Sequence, residues 1–265
     1  MPALLDRLRE PGLAGVALDG PARFAAHRRV LERKPMLRDV FDECRRAMRR
    51  LAQAHLAAEG RSVEIGAGVA PMRDSYPEVL ATDVVHASHL DLVADAQAMP
   101  FRDASLRVVY AQNAFHHLPR PERFFRELAR VLVPGGGAVL LEPAHGPLAA
   151  WLYPRLFASE GYDKRSESWE TPQSGPMNGA NQALAYVVFV RDRERFLRAH
   201  PELEIVAIEP MPNGLRYLLS GGLNFRQLLP DAAGGMLRAL ERLLASAPAS
   251  LALHQIVVLR RRTAA

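Results

Sequence analysis

With 265 residues the chain suffices for one large domain, or one domain with substantial insertions, around a sizeable core. Its composition, 49% hydrophobic and 24% charged, is that of a soluble globular protein, and the single cysteine, Cys44, excludes an internal disulfide or a cysteine-held iron–sulfur cluster. The net charge of +5 rests on arginines scattered along helical segments, which alongside abundant Ala and Pro reads as coding bias and solvated helix faces, not as a nucleic-acid surface.

The opening residues, MPALLDRLREPG, carry charges too early for a secretory signal, and no apolar run is long enough to cross a bilayer; a cytoplasmic chain is expected. From Pro21 to Glu59 apolar residues recur at three- and four-residue steps (Phe24, Val30, Leu31, then Leu37, Val40, Phe41, Cys44, Met48, Leu51), which predicts two helices divided at Lys34–Pro35. Short Val-, Leu- and Ile-rich runs follow, SVEIG, EVLATDVV, LDLVADA, LRVVYAQN and AVLLEP, of the kind that forms strands buried on both faces of a parallel sheet. Between the last two, RPERFFRELARVLVPGGG predicts an amphipathic helix ended by the proline and three glycines. Beyond Pro143 come an aromatic-rich stretch from Trp151 to Trp169, a polar loop, a helix near 191–199, the strand LEIVAIEP, a second insertion containing YLLSGGLNF, a helix near 235–245 and the strand LHQIVVLRR. The alternation predicts an α/β fold with a Rossmann-like, doubly wound, seven-stranded, mostly parallel sheet. Residues 1–59 are expected to form an N-terminal helical cap and 60–265 the main domain, with insertions near 146–190 and 211–250.

The first strand runs into EIGAGVAP. A dinucleotide site requires G-x-G-x-x-G; Gly66 and Gly68 fit, but Pro71 stands at the third glycine. Glu64 also puts a carboxylate within the loop, which suits a ligand with a positive amino group better than a pyrophosphate.

In this order and spacing VEIGAGVA, LATDVV, LVADAQAMPF and LRVVYAQNAFHHLPRPERFFRELARVLVPGGGAVLLEP resemble the successive motifs of class I S-adenosylmethionine (SAM)-dependent methyltransferases, nearest the small-molecule branch that includes the quinone-biosynthesis enzymes. The resemblance covers roughly residues 60 to 143. It implies SAM as cofactor: Gly66, Ala67 and Gly68 admit the methionine part, Glu64 anchors its amino group, Asp83 with Val84 takes the ribose hydroxyls, Asp95, Ala96 and Gln97 bind the adenine edge, and Asn113 faces the methionine end. Two departures stand out. Ala70 replaces a common glycine, and the seven residues between Asp83 and Asp91 are too few for the usual helix, so one adenine wall should be short or borrowed from the N-terminal helices.

Adenine-amino methylation expects a Pro-Pro-aromatic signature where this chain reads QNAFHH, and pyrimidine C5 methylation expects a cysteine on the sheet, so nucleic acid is not the expected partner. A small or lipid-like acceptor is. Candidate bases are His116 and His145; His117, Glu142, Trp151, Tyr153 and Tyr217 are expected to bind the acceptor, and the residues between Ser174 and Asn181 to form a lid. No metal-ligand spacing stands out. Peripheral membrane contact and the oligomeric state stay open. The alternatives are a SAM-binding protein without catalysis and an NAD-dependent oxidoreductase.

Overall fold

The computed structural model describes residues 7–17, 20–57, 59–69, 71–157, 160–172, 180–244 and 248–263. Two helices lead, α1 (Ala22–Glu32) and α2 (Pro35–His55), with Pro35 at the first turn of the second, where a missing N–H costs nothing. Strands β1 (Arg61–Ile65), β2 (Val79–Asp83), the two-residue β3 (Leu92–Val93) and β4 (Leu106–Gln112) follow. Next come helix α3 (Pro121–Val131), β5 (Leu132–Pro143), α4 (Pro147–Leu156), α5 (Arg193–Ala199), β6 (Leu203–Pro210), α6 (Gly214–Leu219), α7 (Gly234–Leu243) and β7 (His254–Arg261).

The seven strands form one sheet in the order β3-β2-β1-β4-β5-β7-β6; β7 runs antiparallel to both its neighbours and the other pairings are parallel. Strand alternation sorts the core onto two faces. Along β4, Val109 and Ala111 pack with Phe124, Phe125, Leu128, Phe189 and Phe196, while Val108 and Tyr110 pack with Val40, Cys44, Met48 and Leu51 of α2. Helices therefore cover both faces, as a doubly wound sheet requires. β1 obeys the same rule: Val63 and Ile65 face the α3 side, which sends Glu64 to the α2 side.

The glycine run differs from expectation. Helix α3 stops at Val131 before any glycine, and Pro134 to Gly137 lie within β5. The β4–β5 register slips there, from Leu106 opposite Leu132 to Val108 opposite Gly137, so the extra residues are absorbed as an irregularity of the strand. Close packing explains the glycines: a Cβ on Gly137 would meet the Leu259 carbonyl oxygen at 2.0 Å.

No helix separates β2 from β3, as the short spacing required. Phe24 of α1 instead packs edge-on against His89 in the β2–β3 link, and the segment before it is anchored on another loop. Glu10 N–H donates to the Asn224 carbonyl (3.0 Å), Arg226 N–H to the Leu8 carbonyl (2.7 Å), and the Lys34 ammonium to the Gly222 carbonyl (2.9 Å) while pairing with Glu10 (3.3 Å). These contacts tie residues 8–34 to the loop at 222–226.

Candidate active site

A cleft of about 1240 Å³ opens at the carboxyl ends of β1, β2 and β4, where open α/β sheets bind ligands. Gly66, Ala67 and Gly68 line it from the first loop, Asp83 and Val84 from the end of β2, Asp95, Ala96 and Gln97 from beyond β3, and Asn113 from the end of β4. Gly66 and Gly68 adopt φ of +60° and +56°, the left-handed region that side chains disfavour. A Cβ on Gly66 would also lie 2.6 Å from the Ala114 Cβ, whereas one on Gly68 would meet nothing closer than 3.8 Å. Gly66→Ala therefore combines strain with overlap and is expected to cost about 1–3 kcal/mol of stability, more than Gly68→Ala, as urea unfolding would measure. Equal effects would refute the close approach at Gly66.

Asp83, 4% exposed, accepts from Gly68 N–H at Oδ2 (3.2 Å) and from Val85 N–H at Oδ1 (3.0 Å). A carboxylate has about four lone-pair positions, so two remain for hydroxyls in the cleft. Asp95 Oδ1 accepts from Gln97 N–H (2.8 Å). Asn113 sits at φ +51° with its N–H on the Leu141 carbonyl (2.7 Å), and its buried Oδ1 has no partner among the described residues.

Glu64 does not line the cleft. It lies on the α2 side, 1% exposed, where Oε2 accepts from Met72 N–H (2.5 Å). Burial raises its carboxyl to about 8 despite that hydrogen bond and nearby Arg45, with Asp74 and Asp83 adding to the rise. The carboxyl is thus largely neutral at pH 7, and the argument from its charge against a pyrophosphate does not hold; the absent third glycine remains. The folded state keeps a proton that the unfolded chain releases above about 4.5, so this group erodes stability as pH rises from about 4.5 to 8. Glu64→Gln is expected to flatten that decline, seen by comparing urea unfolding of both proteins at either end of the window. An unchanged slope would mean that Glu64 is ionised within the fold.

The second half of the cleft is lined by His116, His117, Tyr153, Glu160, Tyr217 and His254, among others. His116 is 2% exposed, and its Nδ1 lies 2.6 Å from Glu142 Oε2. Burial alone would lower this imidazole, but Glu142 and then Glu160 overcome it and raise it to about 9. His116 is therefore held as an imidazolium near neutrality and is not a free base. Burial drives its neighbour His117 down to about 3, so this ring faces the cleft neutral.

Three other expected site residues lie off the cleft. His145 hydrogen-bonds Gln255 (Nδ1 to Oε1, 3.0 Å) and packs against Tyr186, because it sits past the end of β5 on the side of the Leu184–Tyr186 turn. Glu142 is fully buried and spends its carboxylate on Ala114 N–H, Phe115 N–H and His116. Trp151, 56% exposed, faces outward under the Arg155 guanidinium, while Tyr153 of the same helix lines the cleft and donates to the Leu253 carbonyl (2.5 Å). Trp169, at the far end of the aromatic-rich stretch, packs in the core against Phe125. Ala70 and residues 174–179 of the expected lid lie outside the described residues.

Other cleft residues carry no strand-end motif. Arg23, Phe24 and His27 of α1 reach it from one helix face, and His89 links that wall to the loop, its Nε2 2.7 Å from the Gly68 carbonyl and its ring edge-on to Phe24. The spacing of 23, 24 and 27 was the available signal for the helix; nothing in sequence marked Glu160, Gln182 or His254.

Residues 64–140 match the family model described as a methyltransferase domain. This stretch, under a third of the chain, is similar to a methyltransferase domain. Its strand-end acids and glycine turn fall within that matched stretch. The chain is 44% identical over 61 residues to 27-O-demethylrifamycin SV methyltransferase of Amycolatopsis mediterranei, spanning 22% of each chain. It is 30% identical over 98 residues to the chloroplastic tocopherol O-methyltransferase of Arabidopsis thaliana, spanning 36% of this chain and 28% of that one. The matches thus cover less than a third of either relative's length. Among solved structures, geranyl diphosphate C-methyltransferase from Streptomyces coelicolor A3(2) is similar at 12% identity and a TM-score of 0.48, over 82% of this chain and 78% of that one.

Proposed function

We propose that the protein transfers a methyl group from SAM to a small, partly apolar acceptor. The observation that carries this reading is the cleft itself, in which the methyltransferase domain supplies a left-handed glycine turn, Asp83, Asp95 to Gln97 and the unpartnered Asn113 carbonyl around one space. The residues fit the cofactor: spare carboxylate lone pairs for a ribose diol, bare backbone for the methionine part, and a lone amide oxygen suited to an ammonium.

When bound, SAM supplies an electrophilic methyl on a sulfonium. The chain's own task is to bind, orient and exclude water, because in-line displacement gains much of its rate from positioning. The α1 residues Phe24 and His27 and the segment 9–16, which line the cleft, would cap the adenosine part of the cofactor in place of a helix between β2 and β3. In the other half of the cleft, Tyr153, Phe157, Tyr217, Leu223 and Phe225 offer an apolar wall, and an adjoining cavity of about 80 Å³ behind it is lined by Leu152, Leu218 and Leu228. Such a wall suits a hydrocarbon-bearing acceptor.

Calorimetry should register SAM and not NAD, and label from methyl-labelled SAM should appear in a small molecule of a cell extract. Binding without transfer would favour a SAM-binding protein, and binding of NAD alone would overturn the assignment.

A further inference from the structure

The acceptor half of the cleft contains a His/His/Glu cluster that the methyl-transfer reading does not use. His116 and His117 occupy the one-turn 3-10 helix Phe115–His117 after β4, and Glu160 comes from the loop after α4. One ligand atom from each lies within 4.8 Å of the others, and His116 Nε2 is 3.7 Å from Glu160 Oε2. Ligand atoms around a tetrahedral zinc ion sit about 3.4 Å apart, given bonds near 2.0–2.2 Å. The cluster is one small contraction from that geometry.

Two independent features point the same way. The buried Nδ1 of His117 and Oε1 of Gln182 have no partner among the described residues, and both side chains line the cleft. Buried polar atoms are rarely left so. The surroundings also match the outer shell of a metal site, where a ligating imidazole gives its other nitrogen to a carboxylate. Here His116 Nδ1 is held by Glu142 Oε2 at 2.6 Å, which leaves Nε2 directed at Glu160, its proton to be released when a cation binds, and Glu160 Oε2 is in turn held by Gln182 Nε2 at 2.6 Å.

We infer that His116, His117 and Glu160 form a binding site for a first-row divalent cation of the zinc class, with an open position facing the acceptor space. Two imidazoles and one carboxylate suit such an ion better than magnesium or calcium, which prefer all-oxygen shells. Three protein ligands with a free fourth position is the arrangement that lets a metal hold an oxygen of a bound molecule. This site goes beyond the methyl-transfer reading and does not depend on it.

The test uses full-length protein stripped with chelator and titrated calorimetrically with Zn²⁺, with Co²⁺ as an absorbing substitute. About one equivalent should bind, Co²⁺ should give the visible bands of a low-coordinate site, and Zn²⁺ should raise the wild-type melting temperature. His117→Gln and Glu160→Gln should each weaken binding by at least about tenfold and abolish the Co²⁺ bands. His86→Gln, at an exposed histidine away from the cluster, should leave both unchanged. Melting curves of the metal-free variants check that each is folded. No binding to wild type, or equal binding by all four proteins, overturns the site. Neither readout involves SAM, so the result stands apart from the cofactor experiment.

Discussion

Asp83→Asn is expected to weaken SAM binding by roughly 10–100-fold in calorimetry, the range set by about 1.5–3 kcal/mol for hydrogen bonds to a charged acceptor. Two effects combine. The carboxylate loses the charge that strengthens its bonds to a ribose diol, and the amide NH₂ must turn toward either Gly68 N–H or Val85 N–H, both donors. The second effect loosens the glycine turn, which in the proposed function receives the methionine part of the cofactor. The two separate by ligand: a SAM analogue lacking a ribose hydroxyl should lose affinity for wild type yet discriminate little between wild type and variant. Undiminished SAM affinity in Asp83→Asn would place the cofactor elsewhere.

That these residues meet around one cleft was legible because the signals are local. A strand end followed by a glycine turn or an acid fixes both backbone position and side-chain type within a few residues, so the sequence around Gly66, Asp83, Asp95 and Asn113 could be read without knowing the fold. The short link from Asp83 to Asp91 likewise implied a missing helix, and α1 and residues 9–16 do line the cleft beside it.

Side-chain direction was not legible. Trp151 and Tyr153 lie two residues apart on α4, about 200° around the helix, so one faces solvent when the other faces the cleft, and composition does not say which. Glu64 reads as a cofactor ligand from its place before Gly66, yet strand alternation turns it to the α2 side, where it is buried on Met72 N–H. The His116, Glu142 and Glu160 grouping draws on three segments separated by 26 and 18 residues, and only the tertiary fold closes those distances.

Loss of Glu142 is expected to be the most damaging single substitution at the site, for a reason that joins fold to function. Its carboxylate is fully buried and accepts from Ala114 N–H (3.2 Å), Phe115 N–H (2.9 Å) and His116 Nδ1 (2.6 Å), which fastens the turn after β4 to the end of β5. Glu142→Ala leaves all three donors without an acceptor, those of Phe115 and His116 buried. One such orphan costs about 1–3 kcal/mol, and breaking a buried charged pair costs about 3–5 kcal/mol; these overlap instead of adding, so a loss of about 3–5 kcal/mol is expected in equilibrium urea unfolding. Glu142→Gln keeps one oxygen for the backbone donors and should lose less. An exposed pair makes the contrast: removing Glu194, 3.5 Å from Arg198, should change stability by less than about 0.5 kcal/mol. Because Asn113, held in its left-handed conformation, immediately precedes the clamped turn, the surviving Glu142→Gln protein should also bind SAM more weakly although Glu142 does not line the cleft. A Glu142→Ala protein within about 1 kcal/mol of wild type would show that the turn holds without this clamp, since two buried donors and a part-buried one cannot all lose their acceptor at so small a cost.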